Sequence, residues 1–464
     1  MNFLTLIALS VALGYAVFQR AGVDPNDWNA VLLAIGVIAL LYFASPKDPH
    51  PPPLDRITRF SAIAVLSFTA LQLVPLPIGL VRAISPTRVE LLTATQPFVG
   101  GASHYVTLSA VPYQTAQYFL TLSAYFLVFL IIREVTLTAQ RWPWMAAAPL
   151  LVVGAFEAVL GMVQAYGEGS MSGMATGTYA NRDHYAGLLE MILPFPLVYA
   201  VAILQREDNR FESPASPVLK ACPLLATAAF TLVAIILSLS RMGFLSALAA
   251  LLVAGATMLS LRGWHVDYQA PGAWWRRWLP VATVVLVVIA GFVFLPTDPL
   301  IARFSDLANT DQISADTRAQ VWRDTENLVK AYPLFGCGMG AYESCFLRYK
   351  TVAPMNTVDY AHNDYLQVLA ELGVFGFAAG LIFVGRLVQR TARGTFYARS
   401  VDERYLAIAC LAAITAILLH SLVDFNMYVP ANGFAFAWIA GIAAAQSRTR
   451  APDRAARERP PAEH

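Results

Sequence analysis

Residues 221–261 read ACPLLATAAFTLVAIILSLSRMGFLSALAALLVAGATMLSL, two apolar runs joined through Ser238-Leu239-Ser240-Arg241. Each run has about the 20 residues that an α-helix needs to cross a hydrocarbon core roughly 30 Å thick. The join leaves room only for a tight turn, so the stretch reads as a membrane hairpin with an arginine at its tip. Similar runs recur near residues 2–18, 29–44, 60–81, 114–132, 143–164, 184–204, 279–296, 366–385, 405–424 and 433–446. The expected fold is an all-α polytopic membrane protein with about twelve transmembrane helices, since helices satisfy their own backbone in lipid. Composition agrees: of 464 residues, 57% are hydrophobic and 13% charged. The net charge of +2 says little, because in such chains the placement of Lys and Arg carries the information. No nucleic-acid partner is expected.

An even number of crossings puts both termini on one side. With the termini cytoplasmic, about two thirds of the 32 Lys and Arg fall in inner segments, so the positive-inside rule selects this orientation. Trp142, Trp144, Trp274, Trp275 and Trp278 then fall at the inner interface. The run Asn2 to Phe18 lacks a basic start and a small-residue cleavage site, and reads as the first membrane helix. Residues 1–160 are expected to form N-terminal membrane helices and 161–440 a core that includes a long outer loop, 297–365. Residues 441–464 read as a basic, disordered cytoplasmic tail. In the long loop, Ser314 can cap a helix running to about Ala331, with Arg318, Trp322, Thr325 and Val329 on one face. A short helix after Gly340 would carry Tyr342, Phe346 and Tyr349, lying either on the membrane surface or against the bundle.

Polar residues that such a chain can least easily hide are the candidates for chemistry. Tyr360-Ala361-His362-Asn363-Asp364-Tyr365-Leu366-Gln367 places a histidine, an amide and a carboxylate at the outer end of an expected helix. A neutral imidazole there can take a proton from a hydroxyl, and the helix dipole with nearby arginines would favour that neutral form. A lone interfacial histidine is nonetheless more often structural, and Asn363 or Asp364 can simply cap the helix. Arg182, Arg241 and Arg318 lie on the outer side, against the positive-inside trend, and a guanidinium fork suits a phosphate. Arg241 has almost no loop in which to reach water, so it must snorkel, pair or face a polar cavity. The plainer readings are a pair with Asp183 for Arg182 and a solvated helix face for Arg318. Glu157, Glu190 and Glu371 lie in or near membrane helices. Glu190 reads as a structural partner for Arg241, and Glu371 as solvated or paired with an arginine. Gly336-Cys337-Gly338-Met339-Gly340 reads as a turn. No cluster has metal-ligand spacing and no cofactor is expected. A disulfide between Cys337 and Cys345 requires the chain to turn between them.

Several segments together resemble the O-antigen ligase and polymerase superfamily. They are Asn181-Arg182-Asp183-His184 through Met191, Ser238 through Gly243, Pro333 through Gly338, and His362-Asn363-Asp364 through Gly373. His420-Ser421-Leu422-Val423-Asp424-Phe425-Asn426 and Pro430-Ala431-Asn432 complete the set. The resemblance implies a GT-C-type glycosyltransferase of the bacterial inner membrane, moving a glycan from a polyprenyl diphosphate to an acceptor hydroxyl on the periplasmic side. The acceptor would be a lipid A core or another glycan. It also implies inversion without a metal, Arg182 and Arg241 on the diphosphate with Arg318 matching a looser pattern, and His362 as the base. Asn181, His184, Asn363 and Asp364 take supporting roles. Asp183 and Met242 depart from the family pattern, which bears on glycan specificity. The competing reading is a secondary transporter or lipid-linked glycan flippase, to which Pro194 and Pro196 in one span and Glu157 within another would be relevant.

Overall fold

The computed structural model describes residues 2–46, 51–99, 104–139, 141–167, 174–205, 215–265, 315–351 and 357–446. Its helices are α1 (Asn2–Phe18), α2 (Pro25–Ala44), α3 (Arg56–Leu71), α4 (Ile78–Ile84), α5 (Pro86–Val99), α6 (Pro112–Thr138), α7 (Ala148–Tyr166), α8 (Arg182–Ile192) and α9 (Pro194–Gln205). They continue with α10 (Ala215–Leu237), α11 (Arg241–His265), α12 (Ala315–Ala331), α13 (Tyr342–Phe346), α14 (Asp364–Tyr397), α15 (Val401–His420) and α16 (Pro430–Gln446). Leu76–Pro77 and Tyr105–Val106 form a minimal antiparallel pair. The protein is an all-α polytopic membrane protein. Seven stretches among the described residues are long and apolar enough to cross a membrane: Pro25–Ala44, Pro112–Thr138, Pro143–Tyr166, Arg182–Gln205, Pro217–Leu237, Arg241–Leu261 and Asp364–Tyr397. Four further expected crossings coincide with the shorter or more polar helices α1, α3, α15 and α16. The expected span 279–296, the tryptophans at 274, 275 and 278, the Ser314 cap and the tail from 447 lie outside the described residues.

Burial sorts the helices. Arg182–Gln205 is almost wholly buried, and its apolar residues run all round the helix, the pattern of a central element. Leu193 and Pro194 break it into α8 and α9, because Pro cannot donate to the preceding turn. Outer helices instead keep Leu4, Leu40, Val152 and Leu252 exposed, where lipid tails solvate them. Trp144, expected at the inner interface, packs against protein. It is buried, stacks on Tyr199 at 4.3 Å and donates to Asp402 at 3.1 Å, which binds it inside the bundle.

The helix that begins beside His362 is interrupted rather than continuous. Gly373 has φ 64° and ψ −175°, a region open essentially to glycine alone. The backbone groups freed by the break are taken up by residues 333–338. Val374 N donates to Pro333 O at 2.9 Å, while Cys337 N and Gly338 N donate to Ala370 O and Glu371 O at 3.0 and 3.1 Å. Gln72, buried at the end of α3, completes the joint. Its amide nitrogen donates to Phe335 O and Glu371 O, and its amide oxygen accepts from Met339 N, all within 2.9 Å. Gly336, Gly338 and Gly340 have positive φ, as a turn of that kind needs. Cys337 and Cys345 are free thiols buried in one cluster, close enough that a hydrogen bond with Cys345, along with burial, pushes the Cys337 thiol up. Tyr342 and Phe346 stack at 5.0 Å in that same cluster, so the short helix packs against protein and not on the membrane surface.

Candidate functional site

Helix α15 closes at His420, where Ser421, Leu422 and Val423 tighten the last turn. Asp424 therefore lies in the turn before α16, 4% exposed. Three imidazoles surround its carboxylate. His362 Nδ1 is 3.4 Å from Oδ1, and His184 Nε2 and His420 Nε2 are 3.7 and 4.0 Å from Oδ2. Phe425 N also donates to Oδ1 at 2.9 Å. Burial pushes this carboxyl up, but hydrogen bonds from His184 and His362 and the imidazole charges outweigh it and hold Asp424 well below the usual carboxylate range. On the far side, His420 Nδ1 is 3.0 Å from Glu190 Oε2, both fully buried.

His362 is aimed by its neighbours rather than by a helix. Its φ is 49°, in the left-handed region. Ala361 N donates to Gln367 Oε1 at 2.8 Å, Trp322 Nε1 donates to Ala361 O at 3.0 Å, and Asp364 N donates to Ser421 O at 2.9 Å. The backbone on both sides of the imidazole is thus pinned, by α12 and by the turn after α15. Asn363 is the helix cap, accepting from Leu366 N at 3.0 Å. Asp364 is not a cap. Its carboxylate accepts from Ser421 Oγ at 2.6 Å and Met427 N at 3.2 Å, tying α14 to the Asp424 turn. In the tautomer that donates Nδ1–H to the Asp424 carboxylate, His362 Nε2 keeps a free lone pair. The His362 side chain is 23% exposed, against 9% for His184 and 1% for His420, so of the three it is the imidazole that an incoming hydroxyl can reach.

Beside this cluster opens a cavity of about 620 Å³, a volume in the range of small-molecule sites. Asn181, His184, Tyr360, Asp364 and Phe425 line the end nearest Asp424, with Arg20 also in the wall. Below them the lining is largely apolar, including Trp28, Tyr125, Val384 and Phe436. Phe425 stacks on Tyr360 at 4.0 Å and meets His184 and His362 edge-on at 4.6 and 5.0 Å, so this one ring of the cavity wall touches both imidazoles.

Arg182 opens α8 two residues before His184, and its guanidinium bonds Met174 Sδ at 2.9 Å. Asn181 caps that helix, accepting from Asp183 N at 2.8 Å. Arg241 opens α11 after a turn in which Leu239 has φ 56°. Ser240 Oγ accepts from Gly243 N at 3.2 Å, and Gly243 packs on Ala186 of α8. The two arginines therefore begin neighbouring helices at one end of the bundle, and Arg241 makes no hydrogen bond or ion pair with a described residue. Arg318 lies on α12 one turn before Trp322, with Nε buried and unbonded among the described residues. None of the three lines the cavity.

Two carboxylates have partners other than those expected. Glu190 pairs with His420 and not with Arg241, since the end of α15 lies against α8. Glu371 is fully buried and meets no arginine among the described residues. It accepts from Tyr428 Oη at 2.7 Å and from Tyr342 N at 3.3 Å beside the helix break. Glu157 is a pin, accepting from Thr178 N and Oγ1 at 3.0 and 2.8 Å. Among the described residues, His362 has the Asp424 carboxylate as its charged partner and not an arginine. Asp424 and His420 had a signal in sequence, an i, i+4 pair of ionisable residues closing an otherwise apolar helix, where such groups are expensive unless paired.

A search of curated proteins found no match for this chain. Residues 226–381 match the family model described as O-antigen ligase, a segment that includes Arg241, Arg318 and His362 and ends before His420 and Asp424. That match supports the resemblance of this chain to the O-antigen ligase and polymerase superfamily.

Proposed function

We propose that this glycosyltransferase-like membrane enzyme moves a glycan from a polyprenyl-diphosphate carrier to an acceptor hydroxyl at the periplasmic face of the inner membrane, inverting the anomeric carbon. The observation that carries the reading is the Asp424–His362 contact at 3.4 Å with His362 the most accessible of the three imidazoles. The Asp424 carboxylate fixes Nδ1–H, and Nε2 takes the acceptor's proton as its oxygen attacks the anomeric carbon. The bond from that carbon to the diphosphate oxygen breaks on the opposite face, and the electron pair leaves with the polyprenyl diphosphate. Arg182, Arg241 and Arg318 are the residues to which we assign the charge of that leaving group. Fixed guanidinium groups at a partly dehydrated interface can stabilise it without a metal.

The test is transfer by purified protein in nanodiscs, with a polyprenyl-diphosphate-linked repeat as donor and lipid A core or a second repeat as acceptor. His362→Ala should abolish transfer. Asp424→Asn should lower kcat by about a hundredfold or more, with donor KM little changed, because it loses the base's alignment and not the donor's contacts. Full activity in either variant removes the assignment, and retention of anomeric configuration removes the single displacement. Which acceptor is used separates a ligase from a polymerase.

A further inference from the structure

The cavity wall contains one cation that the reaction above does not use. Arg20 stands in the turn between α1 and α2, is exposed, and makes no side-chain hydrogen bond or ion pair with a described residue. Its backbone is unusual. Arg20 and Ala21 have φ 50° and 64°, two successive non-glycine residues in a conformation that L side chains adopt only at a cost. The turn is fixed from several sides. Gly22 N donates to Gln19 O at 2.8 Å, and Thr178 Oγ1 donates to Val17 O at 2.8 Å. Gly22 also sits so close to Pro430 and Trp28 that a Cβ there would be 3.3 Å from each. These contacts hold the Arg20 backbone beside the start of α16 and the segment that leads into Asn181, at the same end of the bundle as Asp424.

The surroundings select the ligand's chemistry. Next to the guanidinium is a long apolar space whose wall reaches Val384 and Phe436, residues well inside α14 and α16. A small hydrophilic anion gains nothing from such a space, and an uncharged hydrocarbon gains nothing from the cation. An amphiphile with a phosphate head and an apolar chain uses both. We propose that Arg20 is a phosphate-binding residue of this cavity, holding the head of a lipid whose chain lies along the apolar wall. That this lipid is the glycan donor rests on the proposed function. The binding itself does not.

Arg20→Gly tests it cleanly, since glycine removes the charge and relieves the left-handed backbone at once. Full-length protein and the variant are titrated with polyprenyl diphosphate, with uncharged polyprenol and with inorganic pyrophosphate. The expected result is a loss of roughly tenfold to a hundredfold in affinity for polyprenyl diphosphate in the variant, the worth of a charge-assisted hydrogen bond. Polyprenol affinity should be unchanged and the melting temperature no lower. Unchanged diphosphate-lipid affinity overturns the proposal. So does an equal loss for polyprenol, which would mark a packing role, or pyrophosphate binding as tight as the lipid's, which would leave the cavity without a part. Failures of the two readings are distinguishable. Arg20-dependent lipid binding by a wild-type protein that transfers no glycan sinks the reaction alone, while glycan transfer with unchanged donor affinity in Arg20→Gly sinks this site alone.

Discussion

Asp424 draws three imidazoles onto one carboxylate, and that carboxylate ionises more readily in the folded chain than in the unfolded one. A group depressed in this way adds stability that is fully present above its unfolded pKa of about 4 and is lost as the pH falls below that. The melting temperature of the wild type should therefore fall more steeply than that of Asp424→Asn between about pH 5 and pH 3. Parallel slopes in the two proteins would mean that the carboxylate is not held low. At this scale His362 was legible in sequence because it is a polar residue beside an apolar run. Its partner was not. Asp424 is 62 residues away from His362, and Glu190 is 230 residues from His420, distances at which no local periodicity can pair two side chains. The same blindness hid Arg20, whose importance depends on a cavity that forms only when the turn after α1 meets α2, α6, α14 and α16.

The interrupted α14 is the element on which the site hangs, because its first segment carries the residues that pin His362. Replacing Gln72 by Ala would leave Met339 N and Phe335 O without their partner. We expect a loss of about 3 kcal/mol of stability in detergent unfolding, at roughly 1–3 kcal/mol for each unsatisfied group. Gly373→Ala should be at least as damaging. It forces an L residue into a glycine-only conformation and brings a Cβ against the Leu334 carbonyl. Melting temperatures within a degree or so of the wild type in both variants would show that the joint contributes little. Composition and run length located this helix, and the turn at 336–340 was readable from its glycines. The break was not, since a single glycine within an apolar run reads as a packing contact until a second backbone is seen against it. Gly376, three residues on, is such a contact, facing Phe68 of α3.

Across the whole molecule, the part of α14 after its break, residues 374–397, is about 36 Å long at 1.5 Å per residue, enough to cross a core of roughly 30 Å, so its two ends are expected on opposite sides of the bilayer. Phe98 and Tyr397 are both well exposed. In a Cys222→Ala background, Phe98→Cys should react with an impermeant maleimide added to intact spheroplasts, and Tyr397→Cys only after lysis. The reverse pattern would invert the orientation read from the Lys and Arg distribution. The helical class was legible from hydropathy alone, whereas the number of crossings was not, because α3 and α16 pair short apolar lengths with polar ends and are judged by neighbours that a sequence does not display. One consequence concerns time rather than shape. Gln72 and Phe335 are bonded across 263 residues, and a ribosome adds about 5–20 residues per second. The amide of Gln72 thus waits roughly 13–50 s after its own synthesis before its partner exists. For that interval α3 sits in the bilayer with a polar end uncommitted, and the joint closes late in the making of the protein, only after the stretch that bears His362, because Glu371 follows it in the chain.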